Sequence, residues 1–179
     1  SDQSGAGLAF ARTEWLVYLA INNGLVWMAL DALTSAPTTL AITDDYPATV
    51  YVGTVDRGLL KSQDGFTWES VNPGFLQTAG TRLKIDAVAV DPMQPTVLYV
   101  ATSYLFGHTE VHQAPAGVVM STDHAVHWSP LAAETSAPIV RLLPISGVEG
   151  AVYALTTLSR TPQLLGTAPR FDPSLVTSV

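Results

Sequence analysis

Residues Tyr51 to Trp68 read YVGTVDRGLLKSQDGFTW, and every other part of the chain can be laid against them. Thr49 to Thr54 is β-branched and aromatic, as a strand is, and Val55-Asp56-Arg57-Gly58 supplies a turn. Leu59-Leu60-Lys61 then opens a second strand, which Ser62-Gln63-Asp64-Gly65 punctuates before Thr67-Trp68. The stretch predicts a hairpin followed by a corner capped by side chains. In such a corner an Asp or Ser oxygen accepts hydrogen bonds from nearby backbone N–H groups, Gly supplies a positive φ, and Trp covers the turn.

The same pattern recurs along the chain. Val88-Ala89-Val90-Asp91-Pro92 matches Ala41-Ile42-Thr43-Asp44-Asp45, and Thr96 to Thr102 matches Ala48 to Thr54, so that Tyr99 repeats Tyr51. A second corner, Ser121-Thr122-Asp123-His124-Ala125-Val126-His127-Trp128, carries Ala125 where Gly is expected. A later unit has Ile139 to Leu143 as inner strand, Pro144 to Gly150 as turn, Ala151 to Thr157 as next strand and Gln163-Leu164-Leu165 as third. Its Tyr153 repeats Tyr99 after a slightly longer interval, and Phe171-Asp172-Pro173 echoes Val90-Asp91-Pro92 as if a further unit were starting.

The first unit is the least regular. Trp15 to Leu33, WLVYLAINNGLVWMALDAL, is apolar enough to suggest a membrane span. Its uncharged run, Trp15 to Leu30, nevertheless falls short of the ~20 residues that a spanning helix needs. Asn22-Asn23-Gly24 lies in its middle, and Asn-Gly between two apolar runs marks a hairpin turn. The expected division is therefore four units, 1–36, 37–79, 80–133 and 134–179, each with its tyrosine (Tyr18, Tyr51, Tyr99, Tyr153) on a second strand.

Ser62, Asp64, Gly65 and Trp68, with Ser121, Asp123 and Trp128, resemble the Asp-box (BNR) corner of β-propellers, S-x-D-x-G-x-x-W. The first copy is one residue shorter than that pattern. The group includes sialidases, xyloglucan-type glucanases, sortilin-like receptor domains and the photosystem II assembly and stability factors. The resemblance implies an all-β fold, a β-propeller or partial propeller of about four antiparallel blades with Asp-box turns, in one domain that is complete or excerpted from a longer propeller. It also implies that the boxes are architectural and lie on the rim away from the binding face. The arginine triad, Tyr/Glu pair and R-I-P motif of sialidases are not assembled by this sequence, with its six arginines.

Composition narrows the function classes. The 179 residues are 47% hydrophobic and 13% charged, enough to build a core. Eight Lys and Arg against fifteen Asp and Glu give a net charge of −7, which repels phosphate backbones and anionic lipids, so no nucleic-acid partner is expected. Without cysteine there is no disulfide frame, thiolate metal site or thiol nucleophile. The chain starts at Ser1 with no apolar leader, as a processed or excerpted chain would.

Candidate functional residues lie mainly in one insertion. The run from Tyr99 to Ser121 is twice as long as the equivalent run from Tyr51 to Ser62, so Ser103 to Ala116 (SYLFGHTEVHQAPA) is expected to be a long loop on the face opposite the corners. Tyr104, Phe106, His108, Glu110 and His112 form its candidate binding surface. In an extended run His108, Glu110 and His112 would point one way, the pattern of a metal or acid/base cluster, but no fourth ligand accompanies them, and a solvated polar edge is preferred. Asp44 and Asp45 read as turn caps, and His124 and His127 as surface residues. Asp86, in phase with Lys84 and Val88 on an inner strand, is a candidate for the central channel, without a partner carboxylate to make a glycosidase pair.

These readings lead to a non-catalytic interaction or assembly module with no catalytic residue, cofactor or metal. Its expected partners are other protein subunits or the remainder of a longer propeller chain, and membrane contact would arise only through a protein complex or through Trp15 to Leu30. Export to the periplasm or cell exterior, peripheral to a membrane complex, is the expected location. The alternative is a fragment of an exported glycoside hydrolase, glucanase- or sialidase-like, with carbohydrate as ligand.

Overall fold

A computed structural model describes residues 9–12, 17–21, 26–30, 33–76, 78–107, 109–132, 137–146, 148, 150–157 and 163–165. They form four antiparallel sheets in chain order, each with its strands in sequence order. The first holds β1 (Ala9–Arg12), β2 (Val17–Ile21) and β3 (Val26–Leu30); the second β4 (Pro37–Ile42), β5 (Val50–Thr54), β6 (Leu59–Ser62) and β7 (Glu69–Ser70). The third holds β8 (Arg82–Val90), β9 (Leu98–Phe106), β10 (His112–Ser121) and β11 (Ser129–Ala132); the fourth β12 (Ile139–Pro144), β13 (Val152–Thr156) and β14 (Gln163–Leu165). A single 3-10 turn, Gly74–Leu76, is the one helical element among the described residues, and no helix there is long and apolar enough to cross a membrane.

The expected all-β architecture of about four antiparallel sheets is what the chain adopts, with Tyr18, Tyr51, Tyr99 and Tyr153 on the second strands. Trp15 to Leu30 contributes a hairpin: β2 pairs with β3 from Val17↔Leu30 to Ile21↔Val26. The Asn22-Asn23-Gly24 turn lies outside the described residues, as do Trp15 and Phe171-Asp172-Pro173. Strand β1, implied by placing Tyr18 on a second strand but given no bounds from the sequence, pairs with β2.

Burial follows the strand order. All five residues of β5 are buried, because a second strand is covered by a neighbouring sheet on each face, whereas Glu69 and Ser70 of the outermost β7 are exposed. Tyr51, Leu59, Ile85, Leu98, Val100 and Val119 pack between the second and third sheets, and Ala87, Tyr99, Val118, Ile139, Leu142 and Val152 between the third and fourth. Val17, Val50 and Val52 join the first and second. The inner strands β4, β8 and β12 lie side by side.

Two local details correct the sequence reading. The inner strands align one position away from the sequence match, because Ala41 pairs with Tyr51 as Ala89 pairs with Tyr99. Thr43 therefore corresponds to Asp91, and Thr43 rather than Asp44 or Asp45 caps its turn, accepting from the Thr49 N–H at 2.7 Å. At the β5–β6 turn Gly58 has φ +76°, and a Cβ there would lie 2.0 Å from Asn72 Oδ1. Asn72 uses that space, accepting from the Leu59 N–H at 2.7 Å and donating to the Arg57 carbonyl at 2.9 Å.

Candidate functional site: the cleft at the inner-strand bulges

Each of the last three inner strands carries one extra residue opposite its second strand. The register skips Thr38 in β4, Asp86 in β8 and Val140 in β12, which are spaced along the chain as Tyr51, Tyr99 and Tyr153 are. A bulge releases its residue from the pleat and re-aims the side chain. Here the three re-aimed residues meet at one open cleft of about 560 Å³, completed by Val55, Lys84, Gln113, Pro138 and Ile139 among others. Val55 follows the end of β5 while Ser62 ends β6, so the cleft opens at the end of the sheets opposite the capped corners.

Asp86 is the sole carboxylate among the described residues lining this cleft, and its side chain is 5% exposed. Burial of a carboxylate requires compensation, and three strands supply it. Ser103 Oγ on β9 donates to Asp86 Oδ2, Gln113 Nε2 on β10 donates to Oδ1 at 3.1 Å, and Lys84 Nζ on β8 pairs with Oδ1 at 3.0 Å. Lys84 also donates to Gln113 Oε1 at 3.0 Å, and Gln113 Nε2 to Ser103 Oγ at 3.0 Å. The network balances one cation, Lys84, against one anion, Asp86. Beside it Thr38 Oγ1 donates to the Ile85 carbonyl at 2.6 Å, fastening the bulge of the second sheet to that of the third.

The segment expected to be a loop is an extension of the β9–β10 ladder, which continues to His112↔Phe106. Beyond that pair lie Gly107, Thr109, Glu110 and Val111, and Gly107 at φ +95° leaves room for the Glu110 carbonyl, 2.0 Å from where a Cβ would stand. This corrects the argument for His108, Glu110 and His112. Glu110 sits in the tip and His112 begins β10, so they do not share one extended face, and His108 lies outside the described residues. His112 stacks on Phe106 with ring centroids 5.6 Å apart, while Tyr104 is half-buried against the core between the second and third sheets. Phe106 and Val111 remain exposed. Among the described residues no three His, Cys, Asp or Glu side chains lie close enough to hold a metal.

At the opposite end the two corners have matching hydrogen bonds. In the first, Gly65 N–H donates to Ser62 Oγ at 2.9 Å, while Phe66 and Thr67 N–H donate to Asp64 Oδ1 at 2.8 and 2.7 Å. In the second, Ala125 N–H donates to Ser121 Oγ at 2.9 Å, and Val126 and His127 N–H to Asp123 Oδ1 at 3.1 and 2.8 Å. Positions Gly65 to Trp68 thus correspond to Ala125 to Trp128, and His124 is the residue that the shorter corner lacks. His124 at φ +56° and Ala125 at φ +69° both take the left-handed conformation. His124 Nε2 approaches Asp45 Oδ2 at 3.5 Å, and Lys61 Nζ donates to the His124 carbonyl at 3.2 Å, so the longer corner leans on the second sheet.

These bonds stabilise the charged carboxylates. The backbone N–H groups of Thr67 and Phe66 hold Asp64 far below the usual carboxylate range, and the His127 N–H is the largest cause lowering Asp123 to about 2. Burial, with Asp45, Glu69 and Asp123 nearby, raises the Tyr51 hydroxyl well above its ordinary value. Both tryptophans reach beyond their own corners: Trp128 Nε1 donates to the Val71 carbonyl of the preceding unit at 2.9 Å, and Trp68 packs on the Val17, Val50 and Val52 cluster.

By sequence, no known protein family and no curated protein matches the chain. By structure, it is similar to the GH74 xyloglucanase from Xanthomonas campestris, with a TM-score of 0.55 and 21% identity over 79% of this chain and 24% of that one. The chain is a run of β-propeller blades. It therefore spans about a quarter of that xyloglucanase. Looser likenesses are to the extracellular domain of a one-component system, BT4673, from B. thetaiotaomicron (TM-score 0.43, 11% identity, 87% of this chain, 25% of that one) and to YCF48 from Cyanidioschyzon merolae (TM-score 0.39, 11% identity, 93% and 71%).

The bulge-lined cleft is only partly legible in the sequence. Strand phase points to Asp86, whereas nothing local marks Lys84, Ser103, Gln113 and Thr38 as its surroundings. The one available hint is that Thr38, Asp86 and Val140 keep the tyrosine spacing.

Proposed function

We propose that the chain is a non-catalytic propeller module that binds a protein partner across the cleft and the hairpin beside it. The observation that carries this reading is the engagement of Asp86 by three neighbouring side chains. Hydrolysis of a glycoside needs two carboxyl groups about 5 to 10 Å apart with one free to move a proton, whereas the cleft's Asp86 is paired with Lys84 and bonded to Ser103 and Gln113. The exposed Phe106 and Val111 at the adjoining hairpin supply apolar area of the kind that anchors protein interfaces.

The corners at Ser62–Trp68 and Ser121–Trp128 are, in this reading, Asp boxes with an architectural role, and the protein belongs with the exported Asp-box propellers as an assembly component. Hydrolysis of polysaccharides is the test. Incubation with β-glucans, xyloglucan and sialylated glycans should release no sugar; release that Asp86→Asn abolishes would move the protein to the glycoside hydrolases. Cell fractionation, with the protein expected outside the cytoplasm, checks its location.

A further inference from the structure

The second and third sheets each bury the repeated tyrosine. Tyr51 lies under the third sheet and Tyr99 under the fourth, both with 0% exposure. Their cross-strand partners are Ala41 and Ala89, and the equivalent pair in the fourth sheet is Leu143↔Tyr153. That pair is open: Tyr153 is 42% and Leu143 43% exposed. The opposite face of the same sheet is closed, since Ile139, Leu142, Val152 and Ala154 pack on the third. One face of the fourth sheet thus has the composition of a blade interface without the blade.

The described junctions show what covers such a face. At each of them the covering sheet is the next one in sequence. At the third sheet the cover also bonds to the tyrosine: the Gly150 N–H, in the turn between β12 and β13, donates to the Tyr99 hydroxyl at 3.0 Å. The Tyr51 hydroxyl is buried without such a donor among the described residues, so burial of the ring is the feature that repeats. An aromatic ring paired with a leucine is also costly to leave in water.

We infer that the face carrying Leu143 and Tyr153 seats a further blade of the same ring, folded from the same polypeptide C-terminal to Leu165. Continuing from Tyr153 by either earlier interval, Tyr51 to Tyr99 or Tyr99 to Tyr153, puts the equivalent position of that blade past Val179. This inference is independent of what the cleft binds.

Tyrosine nitration mapped by peptide mass spectrometry tests it, on the chain Ser1 to Val179 made alone and on the polypeptide bearing this sequence as its own cells make it. Tyr46, 99% exposed, is the reactive internal standard. In the native polypeptide Tyr153 should react at least about tenfold more slowly than Tyr46, as a group reached only through local opening does, alongside Tyr51 and Tyr99. In the chain made alone it should react within a few-fold of Tyr46 while Tyr51 and Tyr99 stay protected. If Tyr51 and Tyr99 also react there, that sample is unfolded and the native polypeptide alone decides. Two results overturn the inference: Tyr153 as reactive as Tyr46 in the native polypeptide, or a native polypeptide of 19.0 kDa in which Tyr153 is shielded only until dilution separates two copies.

Discussion

Trp128 donates its indole N–H to the Val71 carbonyl at 2.9 Å, and so ties the corner of the third sheet to the segment that leaves the second. A corner capped only by its own side chains would stiffen one hairpin. This bond makes it part of the junction between two blades. Trp128→Phe keeps most of the ring but leaves the Val71 carbonyl without its donor, and should cost about 1–2 kcal/mol. Urea titration measures it; an unchanged midpoint would reduce the bond to an incidental contact.

Gly53 marks how closely the second and third sheets approach. A Cβ at that position would fall 2.5 Å from Thr39 Cγ2 and 2.6 Å from Ile85 Cγ2. Gly53→Ala should therefore destabilise by about 1–3 kcal/mol, as overpacking does, despite alanine's smaller backbone entropy cost. A stabilised variant in thermal unfolding would mean that the junction is looser than its side-chain distances indicate.

The corners are legible in the sequence because their chemistry is local: Ser62 with Asp64, and Ser121 with Asp123, lie two positions apart. The hairpins are legible for the same reason, and the tyrosine spacing supplies the order of the sheets. The cleft is less so, since a bulge is a backbone event and Thr38, Asp86 and Val140 share no side-chain type. The β9–β10 extension reads as a loop because Gly107 and Pro115 break a strand pattern. Pro115 is accommodated beside the register shift between Pro115 and Gly117. Which sheet a tryptophan reaches is a matter of long-range packing, and no local pattern encodes it.

Acid should loosen the corners. Asp123 titrates near 2 in the folded chain, below its ordinary value of 3.8, so its contribution is fully present above about pH 4 and is lost as the pH falls towards 2. Asp64 is lowered further and yields at still lower pH. Thermal midpoints recorded between pH 5 and 2 should fall, and Asp123→Asn should flatten that fall. An Asp123→Asn variant with the slope of the parent would contradict the assignment.

Lys84 is expected to matter chiefly through Asp86. Lys84→Met leaves a nearly buried carboxylate without its cation and should cost about 1–3 kcal/mol, discounted for the partial exposure of the lysine. Adding Asp86→Asn should recover much of that loss. A double-mutant cycle reads the coupling; strictly additive effects would show that the two residues do not act as a pair.

The central claim, that the cleft side of the propeller holds a protein partner, is tested most directly by site-specific photocrosslinking in the cells that make the protein. A benzophenone amino acid replaces Phe106 or Val111 at the hairpin, or Phe66, which is as open as Val111 but sits at a corner on the opposite rim. The Phe106 and Val111 positions should capture the same protein, and the Phe66 position should not. Capture of nothing at the hairpin, or of the same mixture from both rims, would contradict it.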